Sequence, residues 1–377
     1  LTTLASIADG CTVIEAIGTA NPHYRVPQSH AADFMLGTEG LSETLRKRIP
    51  QVYDRSGINQ RYTCLRDYTQ LPGEFEFYPK SASLRPAPTT AARNQVYERE
   101  SVPLALEAAK SCIEKSGIQP SDVTHLVVVS CTGFFAPGID IQLVKQLGLP
   151  MDTARTVIGF MGCYAAFNGL KTAAAICRSE CDALVMVVCV ELCTLHFQIE
   201  DSLESVIVNA LFSDGAAACL VRQTGRDQAA GKLIYRDSMT ALDSDSLDAM
   251  SWEIGDTGFN MGLSSKVPEL ISRALPGYMQ KFTQKVGIST DDIEFWAIHP
   301  GGRQVLDRAA QTLRLCPSDM ADSYTILRDY GNMSSPTIMF ILERIMQSSG
   351  LRVGQVGMAL AFGPGLTIEG CLLEFGI

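Results

Sequence analysis

TVIGFMGCYAAFNGLKTAAAI, residues 156–176, passes from a short apolar run through glycines into small and apolar residues at helical spacing. A strand that hands over to a helix in this way is the building unit of an α/β fold. Working outward, HLVVVS (125–130), ALVMVV (183–188) and GMALAFG (357–363) are continuous apolar runs, the pattern of strands buried on both faces. They alternate with helical patterns such as ESVPLALEAAKSCIEKSG (100–117), whose Gly117 is placed to end a helix. A second helix is predicted to start near Arg303, after HPGG. A third follows GNMSSP, with Ser335 as N-cap and Pro336 in its first turn. Three chemistry-bearing segments therefore lie where strands give way to helices, the usual place for ligands in open α/β sheets.

The two ends of the chain repeat one plan. THLVVVSCTG (124–133) resembles IEFWAIHPGG (293–302), and ALVMVVCVE (183–191) resembles GMALAFGPG (357–365), each a strand followed by a tight loop. The polar segment around 222–250 separates the copies, so residues 1–222 and 223–377 are read as two similarly folded halves with a site between them.

The chain has 377 residues, of which 46% are hydrophobic, enough for a large buried core. Its net charge of -10 argues against nucleic acid or an anionic membrane surface as partner, and leaves any anionic substrate dependent on a local basic patch. No apolar run is long enough for a membrane span. Twelve cysteines sit mostly inside apolar runs, the pattern of buried thiols in a cytoplasmic or other reducing compartment. Neither the Cys177/Cys181 pair nor the Cys189/Cys193 pair has a histidine at ligand spacing, so no metal site is predicted. The chain begins at Leu1 without a Met, which is compatible with a removed leader, and no remaining segment reads as a signal peptide.

Taken singly, the candidate residues are ambiguous. Cys163 falls at or near the first turn of a helix, where backbone N–H groups can favour a thiolate, yet a buried structural thiol fits the same pattern. His299 ends an apolar strand before a Pro-Gly-Gly turn expected to expose its ring. Asn332 sits in a Gly-flanked turn, where Asn is ordinarily a turn former.

Together, GFMGCYAAF (159–167), VNALFSDGAAA (208–218), WAIHPGGRQVLD (296–307), YGNMSSPTIMFILE (330–343) and AFGPGLTIE (361–369) closely resemble the type III polyketide synthases of the chalcone and stilbene synthase kind. The resemblance spans nearly the whole chain. It implies a thiolase-like fold, two related halves in αβαβα layers, usually as a homodimer. It also implies decarboxylative Claisen condensation of malonyl-CoA onto a starter acyl-CoA, with no metal or redox cofactor. The family's Cys-His-Asn triad falls on Cys163, His299 and Asn332: an acyl-carrying thiolate, its imidazole partner, and two donors for an enolate oxygen.

Further positions carry over one by one. Phe212 matches a gatekeeping phenylalanine, whereas Met261 stands where the second one is expected and should relax control of the passage. Arg48 and Arg55 match two CoA-binding cations and Gln51 replaces the third. Arg303 could compensate, and Gly301 and Gly302 allow close backbone approach to pantetheine. Thr132, Cys193, His196, Val208, Trp252 and Ser334 match cavity positions. His196 and Trp252 replace the Thr and Gly of chalcone synthase, and Ala136 replaces a methionine that reaches across the dimer. This lining speaks against a coumaroyl starter and for acetyl, malonyl or fatty acyl starters, cyclised to pyrone, resorcinol or phloroglucinol-type products. The other readings are a β-ketoacyl synthase that primes fatty acid synthesis and a non-catalytic acyl-CoA-binding protein of the same fold.

Overall fold

The computed structural model describes residues 10–348 and 350–376; Leu1 lies outside them. Among the described residues the strands are β1 (Gly10–Ala20), β2 (Tyr24–Pro27), β3 (Gln60–Thr63), β4 (His125–Ser130), β5 (Ala154–Gly159), β6 (Leu184–Leu192) and β7 (Asp214–Gly225). The second half of the chain adds β8 (Leu233–Leu242), β9 (Met250–Gly255), β10 (Gly258–Leu263), β11 (Phe295–Ile298), β12 (Val356–Gly363) and β13 (Thr367–Phe375). Nine of them form one sheet in the order β11-β12-β13-β8-β1-β7-β6-β4-β5.

The internal repeat predicted from the sequence is visible in how these strands pair. In the first half β4 runs parallel to β6, β6 antiparallel to β7, and β7 antiparallel to β1. In the second half β11 runs parallel to β12, β12 antiparallel to β13, and β13 antiparallel to β8. The copies meet where β1 pairs with β8 through Val13 and Ile14. Each apolar run predicted as a doubly buried strand is one, and β6 is buried at every position.

Layering follows from the two faces of each strand. Leu126, Val128, Met186 and Val188 pack outward against the helix Thr90–Ser116, while Val127, Val129, Val185 and Val187 point inward. Trp296, Met358, Leu360 and Phe362 likewise pack against the helices Val267–Val286 and Arg303–Leu313 on the opposite outer side. The inward faces share a core with the helices Ala165–Ser179 and Pro336–Met346. The order is helix, strand, helix, strand, helix: five layers, with the two functional helices in the middle.

Gly117 ends its helix at φ +67° and Arg303 begins the next functional helix, both as expected. Ser335 precedes Pro336, but its hydroxyl does not cap the helix, because it donates instead to Glu191 Oε1 at 2.7 Å. The polar segment around 222–250 is ordered sheet for much of its length. Its charges are used there, with Arg222 and Lys232 both paired to Glu15 at 2.8 Å.

Close contact between β1 and the Thr90–Ser116 helix depends on Gly18. A Cβ there would lie 2.2 Å from Cys112 N and 2.4 Å from Ala108 O, both backbone atoms that cannot rotate away. Gly18→Ala is predicted to destabilise the protein by roughly 3 kcal/mol or more, read as a lowered denaturation midpoint.

Candidate active site

Cys163 lies in a single 3-10 turn, Gly162–Tyr164, that leads β5 into the helix Ala165–Ser179. The chain reaches it through two left-handed residues, Phe160 at φ +56° and Gly162 at φ +77°. A Cβ on Gly162 would stand 2.7 Å from Pro364 Cδ, and Gly363 packs on the Tyr164 ring. The cysteine turn of the first half is thus fitted against the β12–β13 turn of the second.

Asn332 arrives by a backbone bridge. Its N–H donates to Leu211 O at 3.0 Å, and its carbonyl accepts from Ser213 N at 2.8 Å, so it stands beside Phe212. Asn332 Oδ1 accepts from Ser334 N at 2.8 Å, which leaves its amide NH2 for another partner. His299 follows β11 and is held by its own N–H to Leu360 O at 2.8 Å. The Pro-Gly-Gly turn does not expose the ring as expected. His299 is 0% exposed, and neither ring nitrogen has a hydrogen-bond partner.

Burial dominates the electrostatics. It pushes the Cys163 thiol up to about 11, with Glu191 adding to the rise while the Ser334 and Asn332 side chains oppose it. It pushes the His299 imidazole down to about 3. Glu191 itself is fully buried and its pKa is raised by desolvation, yet its oxygens are well supplied. They accept from Thr132 Oγ1 at 2.8 Å, Cys131 N at 3.0 Å, Cys131 Sγ at 3.4 Å and Ser335 Oγ at 2.7 Å. Glu191 lies outside the motifs that carry the resemblance, but a lone acid inside LVMVVCVEL is a signal of its own, since a charge in a buried strand requires partners.

Two cavities meet at Cys163. The smaller, of about 320 Å³, is lined by Thr132, Cys193, His196, Val208, Trp252 and Ser334, all six of the predicted cavity positions. The larger, of about 580 Å³, runs past Asn332, Gly301 and Gly302 to Arg48, Gln51, Arg55 and Arg303. Phe212, Met261 and Cys163 belong to both, so the two predicted gatekeepers flank the passage at the thiol. His299 lines neither cavity, and Ala136 is exposed and lines neither.

Arg48, Gln51 and Arg55 share one face of the helix Glu43–Arg55 at i, i+3 and i+7. Arg303 is exposed at the rim, 3.6 Å from Asp307 and over the Tyr324 ring. The small cavity has an aromatic wall. His196 stacks on Phe259 at 4.2 Å with Trp252 edge-on, and Trp252 Nε1 donates to Cys131 O at 2.7 Å. Both His196 nitrogens are engaged: Nδ1 accepts from Phe259 N at 3.0 Å, and Nε2 faces Thr132 O at 2.8 Å. Burial lowers the His196 pKa to about 3, so it serves as a neutral wall residue offering the cavity its ring and no free nitrogen.

A buried thiol thus stands between two cavities, one with a basic mouth. Comparison with known proteins gives the family. The model of the chalcone and stilbene synthase N-terminal domain matches residues 2–225, and that of the C-terminal domain matches residues 238–375. The alpha-pyrone synthesis polyketide synthase-like Pks18 of Mycobacterium tuberculosis is 32% identical over 365 residues, covering 96% of this chain and 91% of its own. Polyketide synthase 37 of Dictyostelium discoideum is 33% identical over 333 residues, 86% of this chain but 11% of that much longer one. Among solved structures, PKS-I from the brown alga Ectocarpus siliculosus superposes with a TM-score of 0.92 at 33% identity, covering 98% of this chain and 99% of that one. The chain belongs to the chalcone and stilbene synthase family. It is an acyltransferase, a type III polyketide synthase with the thiolase-like fold.

Glu191→Gln places an amide where the hydroxyls and N–H groups need an acceptor. It is predicted to cost about 2–3 kcal/mol of stability, measured by chemical denaturation.

Proposed function

We propose that Cys163 carries the growing acyl chain and that malonyl-CoA extends it through decarboxylative Claisen condensation. The observation that carries this reading is the meeting of both cavities at Cys163 beside the Asn332 amide, with His299 a buried imidazole whose two nitrogens are unpartnered. A buried polar group left unpaired costs about 1–3 kcal/mol, and a ligand or a proton from the thiol supplies the missing partner.

In the proposed reaction the starter acyl-CoA enters by the larger cavity, its phosphates at Arg48, Arg55 and Arg303 and its pantetheine along Gly301 and Gly302. Proton transfer from Cys163 to His299 gives a thiolate and an imidazolium, each relieving the desolvation of the other. In the proposed reaction this pair forms when substrate excludes water, since catalytic hydrogen bonds commonly tighten only in the complex. The thiolate takes the acyl group and CoA leaves as a thiol. Malonyl-CoA then loses CO2, and the enolate oxygen is met by His299 and the Asn332 amide, where one such donor is worth about 3 kcal/mol. Enolate attack on the acyl-cysteine returns a chain two carbons longer on CoA.

The chain grows into the smaller cavity, where Trp252 and Phe259 leave little room for a flat aromatic starter. Fatty acyl, acetyl or malonyl starters fit this lining. Pyrone formation is favoured among the ring closures, since Pks18 bears alpha-pyrone synthesis in its name. The proposal includes a homodimer in a reducing compartment and no cofactor beyond the CoA thioesters.

Two variants test it. Cys163→Ala should abolish product formation from malonyl-CoA and acyl-CoA, followed by mass spectrometry without any carrier protein, while acyl-CoA binding stays near normal. A Cys163→Ala enzyme that still condenses would place the nucleophile elsewhere. His299→Gln removes the proton acceptor. Iodoacetamide inactivation of this variant should climb with pH toward the value of about 11 that burial imposes on the thiol, whereas the wild-type rate should level off near neutrality.

A further inference from the structure

Trp252, Phe259 and Met261 all stand on one hairpin, β9–β10, which hydrogen-bonds as a strand pair only to itself. An isolated two-stranded hairpin is marginally stable, so its place over the cavity must be set by other elements. The turn, Gly255–Gly258, is gripped by the first turn of the Thr90–Ser116 helix. Thr90 N donates to Asp256 O at 2.8 Å, Thr90 Oγ1 accepts from Gly258 N at 2.8 Å, and the same hydroxyl donates to Gly255 O.

Arg93, one helical turn further on, completes the grip. It is 1% exposed and makes no ion pair among the described residues, an arrangement that is costly unless every donor has work nearby. Its guanidinium donates to Pro88 O at 3.2 Å and to Leu195 O, and it lies within 6 Å of the Phe77 and Tyr78 rings. Gly258, at φ +127°, lies directly on it: a Cβ there would stand 2.9 Å from Arg93 Nε. Leu195 precedes His196, whose ring carries Phe259. One guanidinium therefore supports both sides of the aromatic wall.

We propose that Thr90 and Arg93 are positioning residues that set which acyl chain length the smaller cavity accepts. They fix the hairpin turn and the Leu195 carbonyl, and through them Trp252, Phe259 and His196. Neither lines the cavity. The inference rests on the acyl-CoA reading above.

Thr90→Val removes the hydroxyl at nearly constant shape, and Arg93→Lys keeps the charge while losing the fork. Each purified variant is assayed for kcat and KM with acetyl-, hexanoyl- and lauroyl-CoA plus malonyl-CoA, alongside thermal melting and the fluorescence of Trp252 in a Trp296→Phe background. A freed wall should raise the lauroyl to hexanoyl ratio of kcat/KM about tenfold or more, the range that a methylene or two commands in an apolar pocket. kcat with the better wild-type starter should stay within about twofold, and Trp252 emission should shift to the red. An unchanged ratio and unchanged emission in both variants overturn the proposal, as does a parallel loss with every starter. Wild-type protein inert toward all three starters would instead defeat the reading on which the proposal rests, and the emission readout would still report whether the grip holds the wall.

Discussion

The site depends on a two-bond splice between the halves of the molecule, Asn332 N–H to Leu211 O and Ser213 N–H to Asn332 O. These bonds make Asn332 a neighbour of Phe212 across a sequence separation that no local pattern bridges. Arg61 reinforces the splice from beneath, donating to the carbonyls of Asn209 and Phe212 at 2.8 and 2.7 Å and packing under Gly331. Phe212, Asn332 and Arg61 are thus parts of one hydrogen-bonded unit. A shift of any of them is resisted by the others, which is how a polar constellation keeps its geometry inside an apolar shell.

That shell sets the chemistry. Burial drives the Cys163 thiol and the His299 imidazole toward their neutral forms from opposite directions. In the proposed reaction the low dielectric that disfavours either charge alone would strengthen the attraction between them once both form. The surrounding buried charges are arranged so as not to compete. Glu191 accepts from five groups, Arg61 donates to Gln28 and to backbone carbonyls, and Arg93 is spent on backbone carbonyls and aromatic faces.

Much of the fold is legible in the sequence because its signals are local. Continuous apolar runs mark strands buried on both faces, Gly117 marks a helix end, and the paired THLVVVSCTG and IEFWAIHPGG motifs mark a repeat that the strand pairing reproduces. All six predicted cavity positions line one cavity, because the motifs that carry them are matched along nearly the whole chain. The misreadings share a cause. The adjoining turn suggests exposure of the His299 ring and a cap from the Ser335 hydroxyl, but the ring is buried once the layers pack, and the hydroxyl is taken by Glu191 of β6. His196 lines the cavity as expected, and only the packing shows that Phe259 N and Thr132 O, far from it in sequence, take both its nitrogens.

By itself the sequence determined the α/β class, the two related halves and the family, and it nominated the residues proposed to do acyl chemistry, because periodicity and matched motifs are properties of the chain taken in order. Only the tertiary structure decided that both cavities end at Cys163, that the His299 nitrogens are buried and free, and that a hairpin from the second half is held over the cavity by Thr90 and Arg93 of the first. Burial and hydrogen-bond satisfaction are relations between segments far apart in sequence, and they exist only once the layers have packed.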